Sequence, residues 1–295
     1  MVNVREVDLG GSRTIRIVEL EDAIDPATRK SVTGAWVWDA SIVFATWLSH
    51  DKATWPEGSI KDLRVLELGA GLGLVGLAAA ALGARVLLTD RDLRVLSGIR
   101  RNIKENALEG RAFAAQLEWG EGLPRQVDLR KGVFAERAGG NGGMEAEDPT
   151  DGRSTGSAER LLAEGGPSER GAGGKQGRAG AAASSGESGG LSAHGGVRGG
   201  AESEPLDVED FVKDLDLIVG SDIMYEADLM PALCQTVKQL VGPRTRIFFS
   251  VELRPATPKC FHGMAGEGMT WRAVDQSNLH PEWRSDDIKV FQFFT

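Results

Sequence analysis

The sequence predicts an α/β fold in which a mainly parallel sheet carries helices on both of its faces. The first observation is that short apolar runs alternate with stretches of helix-forming residues, the pattern of repeated strand–helix–strand units. The second is a glycine-rich turn, GAGLG, between the first such run and the helix that follows it. The third is the C-terminal region, where TWRAVD and DIKVFQFF alternate apolar and polar residues as the strands of an antiparallel hairpin do.

The first unit comprises a strand, a helix and a second strand. RVLEL, Arg64 to Leu68, is a short apolar run that suits a buried parallel strand. LVGLAAAAL, Leu74 to Leu82, is rich in strong helix formers, and Gly83 suits the end of that helix. RVLLTD, Arg85 to Asp90, is the next strand. In such a fold a ligand binds outside the carboxyl ends of the strands, where the strand order reverses.

The remaining elements continue this alternation. Asp92 to Ala107 predicts a helix. Its expected buried stripe comprises Leu93, Leu96, Ile99 and Ile103. The further expected elements are a strand at Phe113 to Trp119, a strand at Leu215 to Asp222, a helix near Leu229 to Leu240 and a strand at Arg246 to Leu253. After that strand, Pro255 and Pro258 predict a short or irregular final crossover.

One segment, Lys131 to Glu204, differs from the rest in composition. It holds 21 of the 39 glycines and one aromatic residue, Phe134. Such a segment cannot bury enough apolar surface to offset the entropy lost on ordering it. We therefore expect a disordered insertion in a surface loop of a single domain made of residues 1–130 and 205–295, in which residues 1–60 form an N-terminal extension.

The composition excludes several classes of protein. A net charge of -9 disfavours nonspecific binding to nucleic acid, which needs clustered Lys and Arg. No apolar run is long enough to span a membrane. Cys234 and Cys260 have neither disulfide-framework nor zinc-site spacing, so we predict no metal and a reducing compartment, the cytoplasm or also the nucleus. We expect a monomer that binds neither nucleic acid nor membrane.

The stretch ELGAGLGLVG, Glu67 to Gly76, is compatible with two kinds of nucleotide site. From Gly71 it spells G-x-G-x-x-G, which is typical of dinucleotide sites, and from Glu67 it spells E-x-G-x-G-x-G. A dinucleotide would place an anionic pyrophosphate beside the Glu67 carboxylate. S-adenosylmethionine carries an ammonium and a sulfonium instead, so Glu67 favours that cofactor. A salt-bridged or solvated glutamate, and a turn of small residues without a ligand, remain the alternatives.

Asp90 ends the second predicted strand. A carboxylate at this position can accept hydrogen bonds from both ribose hydroxyls in either class of cofactor site. It could instead cap the helix that begins near Asp92. Asp90 therefore indicates a nucleoside without naming it.

Several segments, in this order, resemble one family. They are GAWVWDASIVFATWL (34–48), LRVLELGAGLGLVGLAAAALGARVLLTD (63–90), the N-x-x-x-N of Asn102 and Asn106, QLEWG (116–120) and LDLIVGSDIMY (215–225). Together they are similar to the seven-strand protein-lysine methyltransferases of methyltransferase family 16, the group that includes the methyltransferase-like 21 enzymes. The resemblance covers nearly everything outside the insertion, and it implies a Rossmann-like class I methyltransferase fold.

The resemblance also implies roles for individual residues. The expected S-adenosylmethionine contacts are Trp38, Glu67, Gly69, Gly71, Leu72, Gly73, Asp90, Trp119 and Ser221. Asp222 and Tyr225 match the family's D-x-x-Y motif, which faces the substrate amine and would be the catalytic pair. From the residues alone, Trp38 and Trp119 could equally be core residues and Asp222 a helix cap. Trp36, Trp47 and Trp55 are interpreted as packing residues.

The expected function is methyl transfer from S-adenosylmethionine to a lysine side chain of a protein substrate. The alternatives are transfer to protein histidine, a small molecule or a nucleic acid base, a nicotinamide-dependent dehydrogenase, and an inactive module that binds the cofactor. The irregular crossover expected after VELRP leaves Arg254 without an assigned role.

Overall fold

The computed structural model describes residues 3–20, 23–24, 29, 31–121, 126–127 and 206–295. The expected insertion at Lys131–Glu204 lies outside these residues. The elements, in chain order, are β1 (Val4–Gly10), β2 (Arg13–Val18), α1 (Asp39–His50), β3 (Arg64–Leu68), α2 (Leu74–Ala81), β4 (Arg85–Asp90), α3 (Leu93–Glu105), β5 (Ala112–Gln116), β6 (Gln126–Val127), β7 (Leu206–Asp207), α4 (Val208–Lys213), β8 (Leu217–Ser221), α5 (Met230–Leu240), β9 (Arg246–Glu252), α6 (Thr257–Gly266), β10 (Thr270–Ala273) and β11 (Ile288–Phe294).

Seven strands form the central sheet, in the order β10–β11–β9–β8–β3–β4–β5. The five strands from β9 to β5 pair in parallel, whereas β11 is antiparallel to both β9 and β10. The α/β fold with its mainly parallel sheet and antiparallel C-terminal pair is thus confirmed. The two strands of that pair are joined by residues 274–287, which include a 3-10 turn at Gln276–Asn278.

Helices cover both faces of the sheet, because successive side chains of a strand point to opposite faces. In β3, Val65 packs in the core that contains α1, α2 and α3, and Leu66 packs in the core that contains α4, α5 and α6. Both side chains are fully buried. This two-sided burial explains why the sequence of β3 is a continuous apolar run rather than an alternating one.

The order of the strands places a switch point between β3 and β8. From β3 the chain continues to β4 and β5 on one side, and it later returns to β8 on the other side. In open α/β sheets, ligands bind outside the carboxyl ends of the strands at such a point. The residues that follow β3, β4 and β8 are therefore the candidates for a site.

Two asparagines, Asn102 in α3 and Asn106 directly after it, hold the hairpin formed by β1 and β2. The backbone N–H of Arg16 donates to Asn106 Oδ1 (2.9 Å), and Asn106 Nδ2 donates to the Arg16 carbonyl (2.8 Å). Asn102 Oδ1 accepts from the Val18 N–H (2.9 Å), and its Nδ2 donates to the Leu72 carbonyl (3.2 Å). The N-x-x-x-N motif thus connects the N-terminal hairpin to the glycine-rich turn.

Three sequence-based expectations about the elements are wrong in detail. Leu93 is 55% exposed, and Val95 takes its place in the buried stripe of α3. The third central strand, β5, ends at Gln116, so Trp119 lies beyond it. The final crossover is a regular ten-residue helix, α6. Pro258 stands in its first turn, where the missing N–H breaks no intrahelical hydrogen bond.

Candidate functional site

A cavity of about 670 Å³ lies at the carboxyl ends of β3, β4 and β8. Nine of the eleven predicted site residues line it: Trp38, Gly69, Gly71, Leu72, Asp90, Trp119, Ser221, Asp222 and Tyr225. Glu67 and Gly73 are not among its lining residues. The segments expected to meet at the switch point therefore do meet there.

The glycine-rich turn between β3 and α2 requires glycine at two positions that line the cavity. Gly69 and Gly71 both have left-handed backbone conformations, with φ of 59° and 55°. A Cβ atom on Gly69 would also lie 2.8 Å from Cγ2 of Ile223, whereas one on Gly71 would meet only ordinary contacts with Gly34. The turn thus brings bare backbone to the edge of the cavity.

Glu67 and Gly73, the two predicted site residues outside the lining, face the protein interior. The Glu67 carboxylate is buried beneath α2 and accepts a hydrogen bond from the Gly76 N–H (2.9 Å). Burial raises the pKa of Glu67 to about 8. A Cβ on Gly73 would lie 2.6 Å from a methyl group of Leu88. Both residues therefore contact the turn on the side that faces the protein interior.

Asp90 holds the turn and still faces the cavity. Its Oδ2 accepts from the Gly71 N–H (3.1 Å) and its Oδ1 from the Asp92 N–H (3.0 Å). The cap of α3 is Asp92, whose carboxylate accepts from the Arg94 N–H, so Asp90 is not the helix cap. Burial raises the pKa of Asp90. A carboxylate has about four acceptor sites, so it retains capacity for two further donors.

Tryptophan side chains form part of the cavity wall. Trp119 is partly buried beyond the end of β5, and Trp38, which lies directly before α1, donates from Nε1 to the Thr33 carbonyl (2.9 Å). Trp36 is 38% exposed and also lines the cavity, so its interpretation as a packing residue is wrong. Trp47 and Trp55 are fully buried, which confirms their packing role.

Ser221, the last residue of β8, presents a buried hydroxyl to the cavity. Its Oγ has no hydrogen-bond partner among the described residues. Leaving a buried hydroxyl unpaired costs about 1–3 kcal/mol. A polar ligand atom in the cavity would remove this cost, so Ser221 fits a role in ligand binding.

Asp222 follows Ser221 and is paired with a cation that the sequence left without a role. Nη1 of Arg254 donates to Asp222 Oδ1 (2.7 Å), and Nη2 donates to Oδ2 (2.6 Å). Nη2 also donates to Oε2 of Glu252 (2.6 Å). The hydrogen bond to Asp222 is the main reason that the pKa of Arg254 is raised further. Such a bidentate arrangement is both strong and directional.

Asp222 is not a helix cap. The next helical turn, Ala227–Leu229, begins after Glu226 and has no side-chain cap. Asp222 instead adopts a left-handed conformation, with φ of 53°, and its N–H donates to the Ser250 carbonyl (2.8 Å). The feature that could have identified Arg254 is the pairing of β8 with β9, because this pairing places charged residues at the ends of two neighbouring strands.

Tyr225 stands at the opening of the cavity. Its side chain is 39% exposed, and its pKa is raised, mainly by burial of the hydroxyl end. Glu226 beside it also lines the cavity. This part of the wall combines an aromatic ring with carboxylates, a set of groups that suits a cationic or amine-bearing side chain.

Within the described ranges, no group of three or more His, Cys, Asp or Glu side chains is placed to hold a metal ion. In the same ranges, no helix is long and apolar enough to cross a membrane.

Comparison with known proteins identifies the family. The model of methyltransferase family 16, described as lysine methyltransferase, matches residues 21–132 and 203–267. The protein N-lysine methyltransferase METTL21A of Danio rerio is 46% identical over 92 residues, which are 30% of this chain and 39% of the relative. The chain spans less than half the length of the METTL21A proteins it matches.

Two further relatives differ from METTL21A in the activity or target that their names state. EEF1A lysine methyltransferase 3 of Xenopus tropicalis is 24% identical over 219 residues, which are 74% of this chain and 57% of the relative. The histone-arginine methyltransferase METTL23 of Xenopus laevis is 37% identical over 98 residues, which are 32% of this chain and 39% of the relative.

Proposed function

Because the chain belongs to the lysine methyltransferase family, we propose that it transfers a methyl group from S-adenosylmethionine to the side-chain amine of a lysine in a protein substrate. The observation that carries this proposal is the composition of the cavity. We call the Gly69–Leu72 turn, Asp90 and Trp119 the cofactor half, and Asp222, Tyr225 and Arg254 the acceptor half. These two sets are far apart in the sequence and line one cavity.

The cofactor half has groups that fit S-adenosylmethionine. The exposed backbone of the turn would hold its methionine part, and Asp90 has two acceptor sites left for the ribose hydroxyls. The flat ring of Trp119 would cover the adenine. The unpaired hydroxyl of Ser221 would gain a partner. When bound, S-adenosylmethionine would supply an electrophilic methyl group, which passes from the sulfonium sulfur to the neutral amine nitrogen as the carbon–sulfur bond breaks and leaves S-adenosylhomocysteine.

The acceptor half would align the substrate amine and bind it in its neutral, unprotonated form. A free lysine has a pKa of about 10.4 and is mostly charged at neutral pH. A partly dry cavity that already contains the sulfonium cation of S-adenosylmethionine disfavours the ammonium form of the lysine, so the pKa of the amine falls. Asp222 would accept a hydrogen bond from the amine, and Tyr225 would bound its channel. Alignment of this kind accounts for much of the rate that an enzyme gains.

We further propose a monomer of the cytoplasm or nucleus, with one domain made of residues 1–130 and 205–295. Two buried free cysteines, Cys234 and Cys260, suit a reducing compartment. The match to the family model omits residues 133–202, which supports placing the Lys131–Glu204 segment outside the family's domain.

The test is transfer of a labelled methyl group. The full chain is incubated with radiolabelled S-adenosylmethionine and a cell lysate, and labelled proteins are hydrolysed to amino acids. We expect the label in methyl-lysine. Label in methylarginine or methylhistidine would overturn the acceptor class, and label in nucleic acid would overturn the protein substrate. Calorimetry should detect binding of S-adenosylmethionine and S-adenosylhomocysteine; tight binding of NAD alone would overturn the cofactor.

A further inference from the structure

The acceptor half contains an ion pair that restricts what Asp222 can do. The Asp222 side chain is only 7% exposed and the Arg254 side chain 30%, so water screens this pair weakly. Both oxygens of the carboxylate lie on the guanidinium fork, at 2.7 and 2.6 Å. Planar pairing of this kind fixes the orientation of a carboxylate as well as its position.

The remaining hydrogen-bonding capacity of Asp222 can be counted. A carboxylate has about four acceptor sites, two on each oxygen. Oδ1 accepts from Arg254 and from the Glu252 N–H (3.3 Å), and Oδ2 accepts from Arg254. One site therefore remains open, on Oδ2. Asp222 lines the cavity, so by this count a donor inside the cavity has one acceptor site of the carboxylate available to it.

The backbone around Arg254 keeps the fork in place. The Arg254 N–H donates to Oγ1 of Thr257 (2.9 Å), and the Thr257 N–H donates to the Arg254 carbonyl (2.9 Å). Oγ1 of Thr257 also donates to the Glu252 carbonyl (3.2 Å). The guanidinium lies 5.8 Å from the centre of the Trp38 ring. The start of α6 thus anchors the cation that faces Asp222.

The charge around the acceptor position follows from the groups that face it. From the acceptor side these are Asp222, Tyr225, Glu226, Glu252 and Arg254, and from the β4 and β5 side Asp90, Arg91, Asp92, Arg94 and Glu118. Arg91 pairs with Glu118 and Arg94 with Asp92. An Asp222 without Arg254 would be a bare carboxylate beside the incoming amine. Arg254 offsets one negative charge here, and because its Nη2 is shared by Asp222 and Glu252, the three groups together carry one negative charge instead of two.

We propose that Arg254 is a positioning residue for methyl transfer, which leaves Asp222 a single open acceptor site for an amine N–H and cancels the charge that would hold the amine as ammonium. This inference rests on the proposed function. It predicts a property that a merely structural ion pair would lack. A bare carboxylate favours the ammonium form and raises the pKa of the bound lysine, by about one unit or more for a charge within hydrogen-bonding distance. Loss of Arg254 should therefore move the acid limb of the pH profile of kcat toward higher pH.

The experiment uses the full chain and a protein substrate on which the wild type forms methyl-lysine. Arg254→Ala should bind S-adenosylhomocysteine with nearly unchanged affinity in calorimetry. Its kcat at neutral pH should fall tenfold or more, and the midpoint of the acid limb should rise by about one pH unit. Arg254→Lys, which keeps the charge but not the fork, should show an intermediate midpoint.

The chain offers a matched control in Arg272→Ala. Arg272 also hydrogen-bonds to a side chain, that of Gln292, and its guanidinium also lies over an aromatic ring, Phe294, at 5.6 Å. It lies on β10 outside the cavity lining, and its replacement should leave both kcat and its pH profile unchanged.

Two results would overturn the inference. One is a kcat of Arg254→Ala that falls equally at every pH with a lower melting temperature, because that pattern describes a structural role. The other is an alkaline shift that persists when Asp222→Asn is combined with Arg254→Ala, because the shift requires the carboxylate. A wild-type protein that forms no methyl-lysine on any substrate would overturn the proposed function as well, and the wild-type assay alone would reveal it.

Discussion

The two halves of the cavity hold their carboxylates in different ways. In the cofactor half and directly behind it, Asp90 and Glu67 accept hydrogen bonds from backbone N–H groups. In the acceptor half, Asp222 accepts from the guanidinium of Arg254. The first arrangement comes from residues before the Lys131–Glu204 segment and the second from residues after it.

This difference sets the charge of each half. Burial with only backbone donors raises the pKa of Asp90, and it raises the pKa of Glu67 to about 8, so Glu67 is mostly protonated at neutral pH. In the acceptor half, a fixed cation accompanies the carboxylate, and the hydrogen bond to Asp222 raises the pKa of Arg254. The carboxylates of the cofactor half are therefore held by backbone groups, whereas that of the acceptor half is held by a side-chain cation.

The largest expected effect comes from filling the backbone cradle of the cofactor half. Gly71→Arg should weaken binding of S-adenosylhomocysteine by more than about 100-fold in calorimetry, because the side chain would occupy the space beside the turn. Gly58→Arg is the matched control, since Gly58 also has a positive φ and lies outside the cavity lining. It carries a similar backbone cost and should bind normally. Equal losses in both variants would mean that strain, rather than occupancy of the site, explains the result.

The next effect tests the acceptor half alone. Asp222→Asn should keep cofactor affinity and lose roughly 100-fold in kcat, because the amide offers one oxygen instead of two to Arg254 and misplaces the acceptor. Asparagine tolerates the left-handed backbone at this position, so the fold should survive. Asp228→Asn, an exposed aspartate of the same segment, is the control and should remain active. A fully active Asp222→Asn enzyme would contradict the assignment.

A third effect tests the protonation of Glu67. The folded protein keeps a proton that the unfolded chain loses above about pH 4.5, so wild-type stability should fall as pH rises from there through about 8. Glu67→Gln cannot titrate at this position. The difference between its free energy of unfolding and that of the wild type should therefore shift in favour of the variant as pH rises, by on the order of 2 kcal/mol between pH 6 and pH 8. Urea unfolding at several pH values measures this difference. Glu57→Gln, at an exposed position, serves as the control. If the stability of Glu67→Gln changed with pH in the same way as that of the wild type, the burial argument would be refuted.

The smallest effect is expected from the segment that separates the two halves in sequence. Replacing Lys131–Glu204 with a short Gly/Ser linker should leave the melting temperature and the affinity for S-adenosylhomocysteine nearly unchanged, because the segment carries few residues able to build a core. Differential scanning fluorimetry and calorimetry would measure both. A large drop in melting temperature would show that the halves depend on the segment. Lost methyl transfer with intact cofactor binding would make it a substrate-docking arm.

The cofactor half was largely predictable, because its turn is one continuous stretch of sequence that follows a strand. The burial of Glu67 beneath α2 was not anticipated, although strand periodicity indicates it. Glu67 has the same parity as Val65, which faces α2, so its side chain points beneath that helix. Its charge therefore could not distinguish the two cofactor classes, and the family match provides that distinction instead.

The acceptor half was predictable only in part. Asp222 and Tyr225 were identified through a resemblance, whereas Arg254 required the register of two strands. β8 pairs with β9 so that Ser221 lies beside Ser250, and the residues just beyond then share one corner of the cavity. Strand pairing over such a separation cannot be inferred from local propensity. The two prolines near Arg254 also suggested irregularity, whereas Pro258 begins a regular helix.

The short ladder between β6 and β7 has a consequence for how this protein could be rebuilt. Gln126 pairs with Asp207 and Val127 with Leu206, so these two parts of the chain lie at neighbouring backbone positions, about 5 Å apart, although some 80 residues separate them in the sequence. A junction of that kind places almost no demand on the length or shape of what is inserted. The ladder is therefore a suitable position for inserting a foreign module, such as a fluorescent reporter or a recruitment tag, because none of its four residues lines the cavity.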